Sequence, residues 1–185
     1  MTFGHLRPAG RAAQDLVARE DVRVIVSQIR RAGPDEWFDV REIRLAALVE
    51  SPDWFCASYD EEIDQVESWW RRFIAAGAWF IAYAGDTSIG IAAGIRSREL
   101  EDSTRQLISM WVEPVARGRG IGGRLVDEVI GWARADGANE IQLQVTEGNE
   151  AARRLYEGRG FVATDRSQAH PRIPSLVEHE MRLRL

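Results

Sequence analysis

Residues 106–123 read QLISMWVEPVARGRGIGG. The first seven of them, 106–112, have the apolar composition of a buried strand, and Glu113-Pro114 interrupts it. From residue 122 to residue 136 apolar side chains recur at three- and four-residue intervals, which is the period of a helix with one buried face. Glycines directly before a helix allow a tight turn and leave the first-turn N–H groups free to bind an anion. The stretch therefore predicts a strand, a phosphate-binding loop and a helix.

Three arginines reinforce this prediction. Arg117, Arg119 and Arg124 lie in or beside the loop, and no acidic residue stands between Pro114 and Arg124. A guanidinium group can pair with phosphate through two hydrogen bonds. The loop is thus expected to hold a phosphorylated ligand.

Two classes of phosphate-binding protein could account for the glycines. Gly118, Gly120 and Gly123 match G-x-G-x-x-G, and Glu147 lies at about the distance where a dinucleotide-binding fold places its ribose-binding acid. In that fold the first glycine ends the strand directly, whereas five residues including Pro114 intervene here, and only 62 residues follow Gly123. The sequence also lacks the G-x-x-x-x-G-K-[ST] pattern of nucleotide triphosphatases.

A second class fits the context better. The strand, the proline break and the R-x-x-G-x-G pattern of Arg117, Gly120 and Gly122 resemble the acyl-coenzyme A pyrophosphate loop of the GNAT superfamily of N-acetyltransferases. Residues 149–161, NEAARRLYEGRGF, are similar to that family's N-x-x-A-x-x-L-Y-x-x-x-G-F segment at every fixed position. The resemblance covers roughly residues 22–185 and is strongest from 106 to 165. It implies an α/β (α+β) fold with a mixed central β-sheet flanked by helices, and acyl-coenzyme A bound between splayed central strands.

The resemblance also implies an activity and a set of site residues. The activity is an acyltransferase reaction, in which a primary amine of a small molecule or peptide attacks acetyl-CoA directly in a ternary complex. The implied cofactor-binding residues are Met110, Trp111, Val112, Arg117, Gly118, Arg119, Gly120, Ile121, Gly122, Gly123, Asn149, Arg153 and Tyr156. Backbone N–H groups around Met110 and Trp111 would stabilise the oxyanion, and Tyr156 would protonate the leaving thiolate. Simple helix capping by Asn149 and core packing by Tyr156 remain alternatives.

The sequence is less informative about the acceptor. An alkyl ammonium must lose a proton before it attacks, at a cost of roughly 4 to 5 kcal/mol at neutral pH, whereas a peptide α-amine costs about 1 kcal/mol. Candidates for the base or for holding a water are Glu99, Glu101, Asp102, Ser109, Glu147 and His170, and no spacing singles one out. Candidates for an acceptor pocket are Trp54, Phe55 and Tyr59 in an aromatic loop, with His170 in a proline-containing loop.

Composition excludes several other classes. Of the 185 residues 45% are hydrophobic and 29% charged, as in ordinary globular proteins, and the net charge of −5 argues against a nucleic-acid partner. The single cysteine, Cys56, excludes an internal disulfide and a cysteine-based zinc site, and it favours a reducing, cytoplasmic location. No metal site is expected. No apolar run approaches the roughly 20 residues of a membrane span.

Hydrophobic periodicity predicts one domain over residues 21–185 after a loose tail at 1–20. The predicted strands are 22–29, 78–84, 88–95, 106–112, 140–145, 161–164 and 176–183. The predicted helices are 37–50, 61–76, 122–136 and 149–158, and 165–174 is expected to be an irregular loop. The apolar last strand is a candidate edge for a homodimer.

Two rival functions stay open at this point. A non-catalytic module that senses acyl-CoA or binds a partner would keep the loop and lack turnover. An NAD(P)-dependent enzyme would be stabilised by NAD rather than by coenzyme A.

Overall fold

The computed structural model describes residues 28–185. The predicted tail at 1–20 and most of the strand predicted at 22–29 lie outside these residues. The strands are β1 (Gln28–Ala32), β2 (Gly77–Ala84), β3 (Thr87–Ile95), β4 (Thr104–Val112), β5 (Glu140–Thr146), β6 (Val162–Ala169) and β7 (Val177–Arg184). The helices are α1 (Trp37–Glu50), α2 (Tyr59–Glu62), α3 (Glu67–Ala75), α4 (Ile121–Ala135) and α5 (Glu150–Glu157).

All seven strands join one sheet, in the order β1-β2-β3-β4-β5-β7-β6. Strands β4 and β5 pair in parallel, and the other neighbours pair antiparallel. The prediction of a mixed sheet flanked by helices is therefore confirmed. A dinucleotide-binding fold would need a mostly parallel sheet, and this sheet has a single parallel pair among its described strands.

Helices cover both faces of the sheet. Successive side chains of a strand point to opposite faces, so the described residues form two hydrophobic cores, one on each face. Helices α4 and α5 pack on one face, here called the α4 face, to which Ala78, Phe80 and Ala82 of β2 point. Helices α1 and α3 pack on the other, the α1 face, to which the alternate residues Trp79, Ile81 and Tyr83 point. Strand β2 is thus buried on both sides, which explains its continuous apolar run.

The two parallel strands pair over only part of their length. Their ladder runs from Thr104 and Glu140 to Gln106 and Gln142, although β4 continues to Val112 and β5 to Thr146. Beyond the ladder the strands separate, which leaves the backbone edge of β4 open.

A bulge in β4 lies in this open part. Trp111 pairs with Ile91 of β3 and Ile108 pairs with Ala93, so that Ser109 and Met110 lie opposite a single residue. Ser109 has φ +57°, a conformation that side chains rarely adopt. The bulge redirects the backbone just before the cavity described below.

Three local predictions were wrong. The helix predicted at 61–76 is two helices. Ser58 and Glu61 form a capping box, so α2 begins before the predicted start. The Ile63 carbonyl accepts a hydrogen bond from Arg41 (3.0 Å) at the end of α2, where the helix is interrupted. The strand predicted at 161–164 continues through the expected loop to Ala169, since it pairs with β7 despite its polar sequence.

The third error concerns the last strand. Strand β7 lies between β5 and β6 and is not an edge, so it cannot pair with a second copy. The exposed edge at this end of the sheet is β6. Within residues 28–185 no helix is both long and apolar enough to traverse a lipid bilayer.

Candidate active site

A cavity of about 440 Å³ opens where β4 and β5 separate. Four segments form it: the end of β4, the loop and first turn of α4, the N-terminal part of α5, and the chain that follows α1. Predicted site residues that line it are Trp54, Phe55, Met110, Trp111, Val112, Arg117, Gly118, Gly120, Ile121, Gly122, Gly123 and Asn149. The fold therefore brings most of the implied cofactor-binding residues together with two of the aromatic candidates.

The glycine loop has the backbone conformation that its sequence predicted. Gly118 and Gly120 have φ +74° and +77°, in the left-handed region where glycine is favoured, and Gly120 is the N-cap of α4. A Cβ on Gly122 would approach Met110 Cε to 3.0 Å and a Leu155 methyl group to 3.2 Å. These glycines let β4, α4 and α5 converge, with the first-turn N–H groups of α4 at the cavity.

Arg117 is held by the protein itself. Its Nε donates to the Val112 carbonyl (2.8 Å), and a terminal nitrogen lies 2.6 Å from a Glu50 carboxylate oxygen. That oxygen also accepts from Trp111 Nε1 (2.9 Å) and from Ser51. Burial acts to raise the pKa of Glu50, but the hydrogen bonds from Ser51, Trp111 and Arg117 hold it below its ordinary value. Arg117 thus fixes the strand-to-loop connection, and its guanidinium is already engaged by Glu50.

Asn149 and Tyr156 sit at opposite ends of α5. The Asn149 side chain caps the helix by accepting a hydrogen bond from the Ala152 N–H (3.1 Å), and it also lines the cavity. Tyr156 is 5% exposed, packs against Phe161, and lies next to the cavity-lining Leu155. Burial raises the pKa of the Tyr156 hydroxyl, which keeps that group protonated at neutral pH. Tyr156 itself does not line the cavity, and within residues 28–185 nothing hydrogen-bonds to its hydroxyl.

Several candidates lie away from the cavity. Glu99 and Glu101 precede the start of β4, whereas the cavity is at its other end, roughly 20 Å along the strand. They are too distant to act as the base in this cavity. Ser109 is close, in the bulge, where its hydroxyl accepts a hydrogen bond from Arg44 (3.1 Å). Arg119 and Tyr59 are both exposed and do not line the cavity.

A buried ion pair that the sequence did not predict lies behind the bulge. Arg44 binds Glu62 through two hydrogen bonds, of 3.1 and 2.9 Å, and its guanidinium lies 5.0 Å from the centre of the Phe55 ring. Arg44 stands four residues after Val40 on the buried face of α1. An arginine at an apolar helical position was the signal that could have revealed it.

The loop between β6 and β7 docks onto the aromatic segment. Arg172 donates to the carbonyls of Pro52 (3.0 Å) and Phe55 (3.4 Å). His170 in the same loop is 1% exposed and lies behind the cavity wall, outside its lining. Trp54 is 41% exposed and lines the cavity. The two regions predicted to receive the acceptor thus contact each other.

A second cavity, of about 450 Å³, adjoins the start of α5. It is lined by Glu147, Asn149, Arg153 and His179, among others. Arg153 is engaged with Glu157 through an i,i+4 ion pair of 3.0 Å. Arg153 and Glu147 therefore face away from the main cavity, on the other side of Asn149.

Comparison with known proteins settles the family. A model described as the acetyltransferase (GNAT) family matches residues 37–161, which is more than half of the chain. The chain belongs to the GNAT acetyltransferase family. The predicted membership of this family is thereby confirmed. The matched region includes all the segments that form the cavity.

Individual GNAT relatives are distant. The mycothiol acetyltransferase of Beutenbergia cavernae is 30% identical over 102 residues, which are 55% of this chain and 33% of that protein. The N-alpha-acetyltransferase RimI of Mycobacterium tuberculosis is 24% identical over 151 residues, which are 78% of this chain and 94% of that protein. The chain spans only about a third to two fifths of the length of the mycothiol acetyltransferases that it matches.

Solved GNAT structures share the fold. A GNAT acetyltransferase from Streptococcus pneumoniae superposes with a TM-score of 0.71 at 22% identity, covering 85% of this chain and 99% of that one. YncA, a putative acetyltransferase from Salmonella typhimurium solved with its cofactor acetyl-CoA, gives a TM-score of 0.68 at 22% identity, covering 85% and 93%. At this identity the similarity concerns the fold.

Proposed function

We propose that the protein is an N-acetyltransferase that uses acetyl-CoA to acetylate a primary amine. The observation that carries the proposal is the separation of β4 from β5 at the point where the glycine loop opens α4. An extended thioester carrier with a diphosphate at one end matches an open strand edge that leads to an anion-binding helix terminus.

The residues of the cavity fit acetyl-CoA in three ways. The open edge of β4 from residue 107 onward offers N–H and C=O groups to the amides of the pantetheine arm. The first-turn N–H groups of α4, supported by Gly118 and Gly120, suit the diphosphate. The apolar residues Met110 and Leu155 border the space between them.

Acetyl-CoA would supply an electrophilic carbonyl and a thiol leaving group. Backbone N–H groups at Met110 and Trp111 would stabilise negative charge on the carbonyl oxygen, since a preorganised donor of this kind contributes about 3 to 4 kcal/mol. Tyr156 would donate its proton to the departing sulfur, a role that its protonated hydroxyl supports. The acceptor would enter from the α1 face, past Trp54 and Phe55.

The name of one relative, N-alpha-acetyltransferase RimI, supports an amine acceptor for this chain as well. A cytosolic location belongs to the same proposal, because a lone thiol suits a reducing compartment.

The direct test is release of free thiol from acetyl-CoA by the purified protein with a panel of amines. The chain contains no lysine, so acetylation of its own side-chain amines cannot supply a background. Calorimetry measures acetyl-CoA binding separately. Binding without thiol release from any amine would favour the sensing module, and stabilisation by NAD instead of coenzyme A would favour the dinucleotide enzyme.

Replacing Tyr156 by Phe tests the proton donor. We expect kcat to fall about 10- to 100-fold, with acetyl-CoA affinity changed less than about twofold, because only the hydroxyl is lost. The matched control is Tyr83→Phe. Tyr83 lies on β2, two strands from β4, and its hydroxyl donates a hydrogen bond to the Asp39 carboxylate of α1 (3.0 Å). An unchanged kcat in Tyr156→Phe would exclude the proton-donor role.

A further inference from the structure

Three polar side chains meet on the α1 face, beside the cavity. They are Cys56, His170 and Glu178, and their ligand-type atoms all lie within 4.8 Å of one another. They come from the segment before α2, from the loop that follows β6 and from β7. Nothing in the acetyl-transfer mechanism above uses them.

A metal site is the first hypothesis for such a trio, and hydrogen bonding to His170 argues against it. His170 Nδ1 accepts hydrogen bonds from the backbone N–H groups of Arg172 (3.2 Å) and Ile173 (3.1 Å). An Nδ1 that accepts carries no proton, so the proton of the neutral ring resides on Nε2. A protonated Nε2 donates a hydrogen bond and cannot ligate a metal.

This Nε2–H group has no partner within residues 28–185, although the His170 side chain is only 1% exposed. Most buried donors in proteins are hydrogen-bonded, because leaving one unpaired is costly. The unpaired donor therefore indicates a place for an acceptor atom from outside the chain.

Glu178 is a buried carboxylate that forms no ion pair with the described residues. Its carboxylate is 3% exposed and accepts hydrogen bonds from the Cys56 thiol (3.4 Å) and from Gln168 Nε2 (2.9 Å). Both donors are neutral, and no arginine of the described chain forms an ion pair with it. Carboxylates this deeply buried are usually paired with a cation. Glu178 thus indicates a place for a cationic group.

The cluster lies on the acceptor side of the cavity. Glu178 pairs with Thr146 at the end of β5, where β4 has already separated. Cys56 directly follows Phe55, which lines the cavity, and the His170 loop is anchored to Phe55 through Arg172. None of the three residues lines the cavity in this structure, so a ligand that reaches both His170 and Glu178 must displace part of the cavity wall beside Phe55.

We propose that His170 and Glu178 together bind an α-aminoacyl group, with Glu178 accepting from its ammonium and His170 Nε2–H donating to its carbonyl oxygen. The inference rests on the proposed acetyltransferase function and specifies its acceptor. In an α-aminoacyl group the nitrogen and the oxygen are separated by two carbon atoms, so that one small group can satisfy both residues. A simple alkylamine, or the side-chain amine of lysine, lacks this oxygen. The acceptor is accordingly the N-terminus of a peptide or an amino-acid amide.

The test compares two acceptors of similar shape, alaninamide and sec-butylamine, by thiol release from acetyl-CoA. The variant His170→Asn keeps an oxygen where Nδ1 accepts from the backbone and removes the Nε2–H. We expect it to lower kcat/KM for alaninamide about tenfold and to change that for sec-butylamine less than about twofold. Because each variant is compared with the wild type on the same acceptor, the different basicities of the two amines cancel.

The variant Glu178→Gln tests the second half of the subsite. It is expected to lower kcat/KM at least about tenfold for both acceptors, since both carry the ammonium. Glu180→Gln is the matched control, because Glu180 lies two residues further on the same strand and is paired with Arg182 and Thr164. Calorimetry should give the same acetyl-CoA affinity for every variant, which separates acceptor recognition from cofactor binding.

Equal losses on both acceptors in His170→Asn, or no loss on either, would overturn the aminoacyl assignment and leave the acetyltransferase function standing. If Glu178→Gln keeps full activity, the assignment fails even where His170→Asn does not fold. Tight Zn²⁺ binding that Cys56→Ser abolishes would show that the tautomer argument is wrong. Absence of thiol release by the wild type with any amine would overturn the proposed function first and the inference with it.

Discussion

The buried ion pair between Arg44 and Glu62 gives a quantitative prediction. Each residue is 5% exposed, and two hydrogen bonds of 3.1 and 2.9 Å join them. Arg44→Leu removes the cation and leaves the Glu62 carboxylate buried with no charged partner among the described residues. Breaking a buried pair from one side costs about 3 to 5 kcal/mol. The same change removes the hydrogen bond from Arg44 to the Ser109 hydroxyl in the β4 bulge.

The double variant Arg44→Leu/Glu62→Leu is the decisive comparison. The double variant has no buried charge to desolvate. Replacing a buried ion pair by apolar residues often leaves the free energy of unfolding almost unchanged. We therefore expect the double variant to be more stable than Arg44→Leu alone by about 2 kcal/mol or more.

Urea unfolding followed by tryptophan fluorescence measures these differences, since the chain has seven tryptophans. For a domain of this size, 3 to 5 kcal/mol corresponds to a decrease in Tm of about 6 to 20 °C. A loss of less than about 1 kcal/mol in Arg44→Leu, or a double variant no more stable than the single one, would contradict this prediction.

Two further predictions concern titrating groups. The pKa of the Asp136 carboxyl is about 2, down from 3.8, because hydrogen bonds from Arg96 and Arg105 outweigh its partial burial. Because the pKa of Asp136 is lower in the folded than in the unfolded protein, its charge stabilises the fold above pH 4, and this stabilisation is lost as the pH falls toward 2. Asp136→Asn should therefore lower the free energy of unfolding in urea by about 1 to 2 kcal/mol at pH 6 and leave it unchanged near pH 2. A difference that does not depend on pH would contradict this prediction. Cys56 is exposed as a residue, but partial burial of its thiol, and then the charge of Glu178, raise the pKa of that thiol to about 11. Iodoacetamide should therefore alkylate it about 100-fold more slowly at pH 8 than a free thiol, and Glu178→Gln should accelerate the reaction. A rate that Glu178→Gln leaves unchanged would show that the carboxylate does not act on the thiol.

Much of the fold follows from local sequence patterns. The apolar residues that recur with helical period in 122–136 form the buried face of α4. The alternate apolar residues of 141–145 form the side of β5 that packs on the α4 face. Gly118 and Gly120 adopt the left-handed conformations that a tight turn before a helix requires. These features depend on residues close together in the chain, so the sequence alone predicts them.

Elements whose boundaries depend on distant partners were predicted less well. Strand β6 has an exposed, polar sequence and is a strand because β7 supplies its hydrogen bonds. The break between α2 and α3 depends on Arg41, 22 residues before Ile63, which takes up a helical carbonyl. No periodicity within either segment contains this information.

The candidate site divides in the same way. The glycine loop and the helix that follows it were predictable from the sequence, because both are built from neighbouring residues whose backbone preferences are intrinsic. The folded chain is needed to see that Glu99 and Glu101 lie at the end of β4 away from the cavity, and that Cys56, His170 and Glu178 meet beside it. This cluster is assembled from three remote segments. The pairing of β7 with β5 and β6, and the docking of the loop between β6 and β7, bring them together, and such long-range contacts leave no local pattern in the chain.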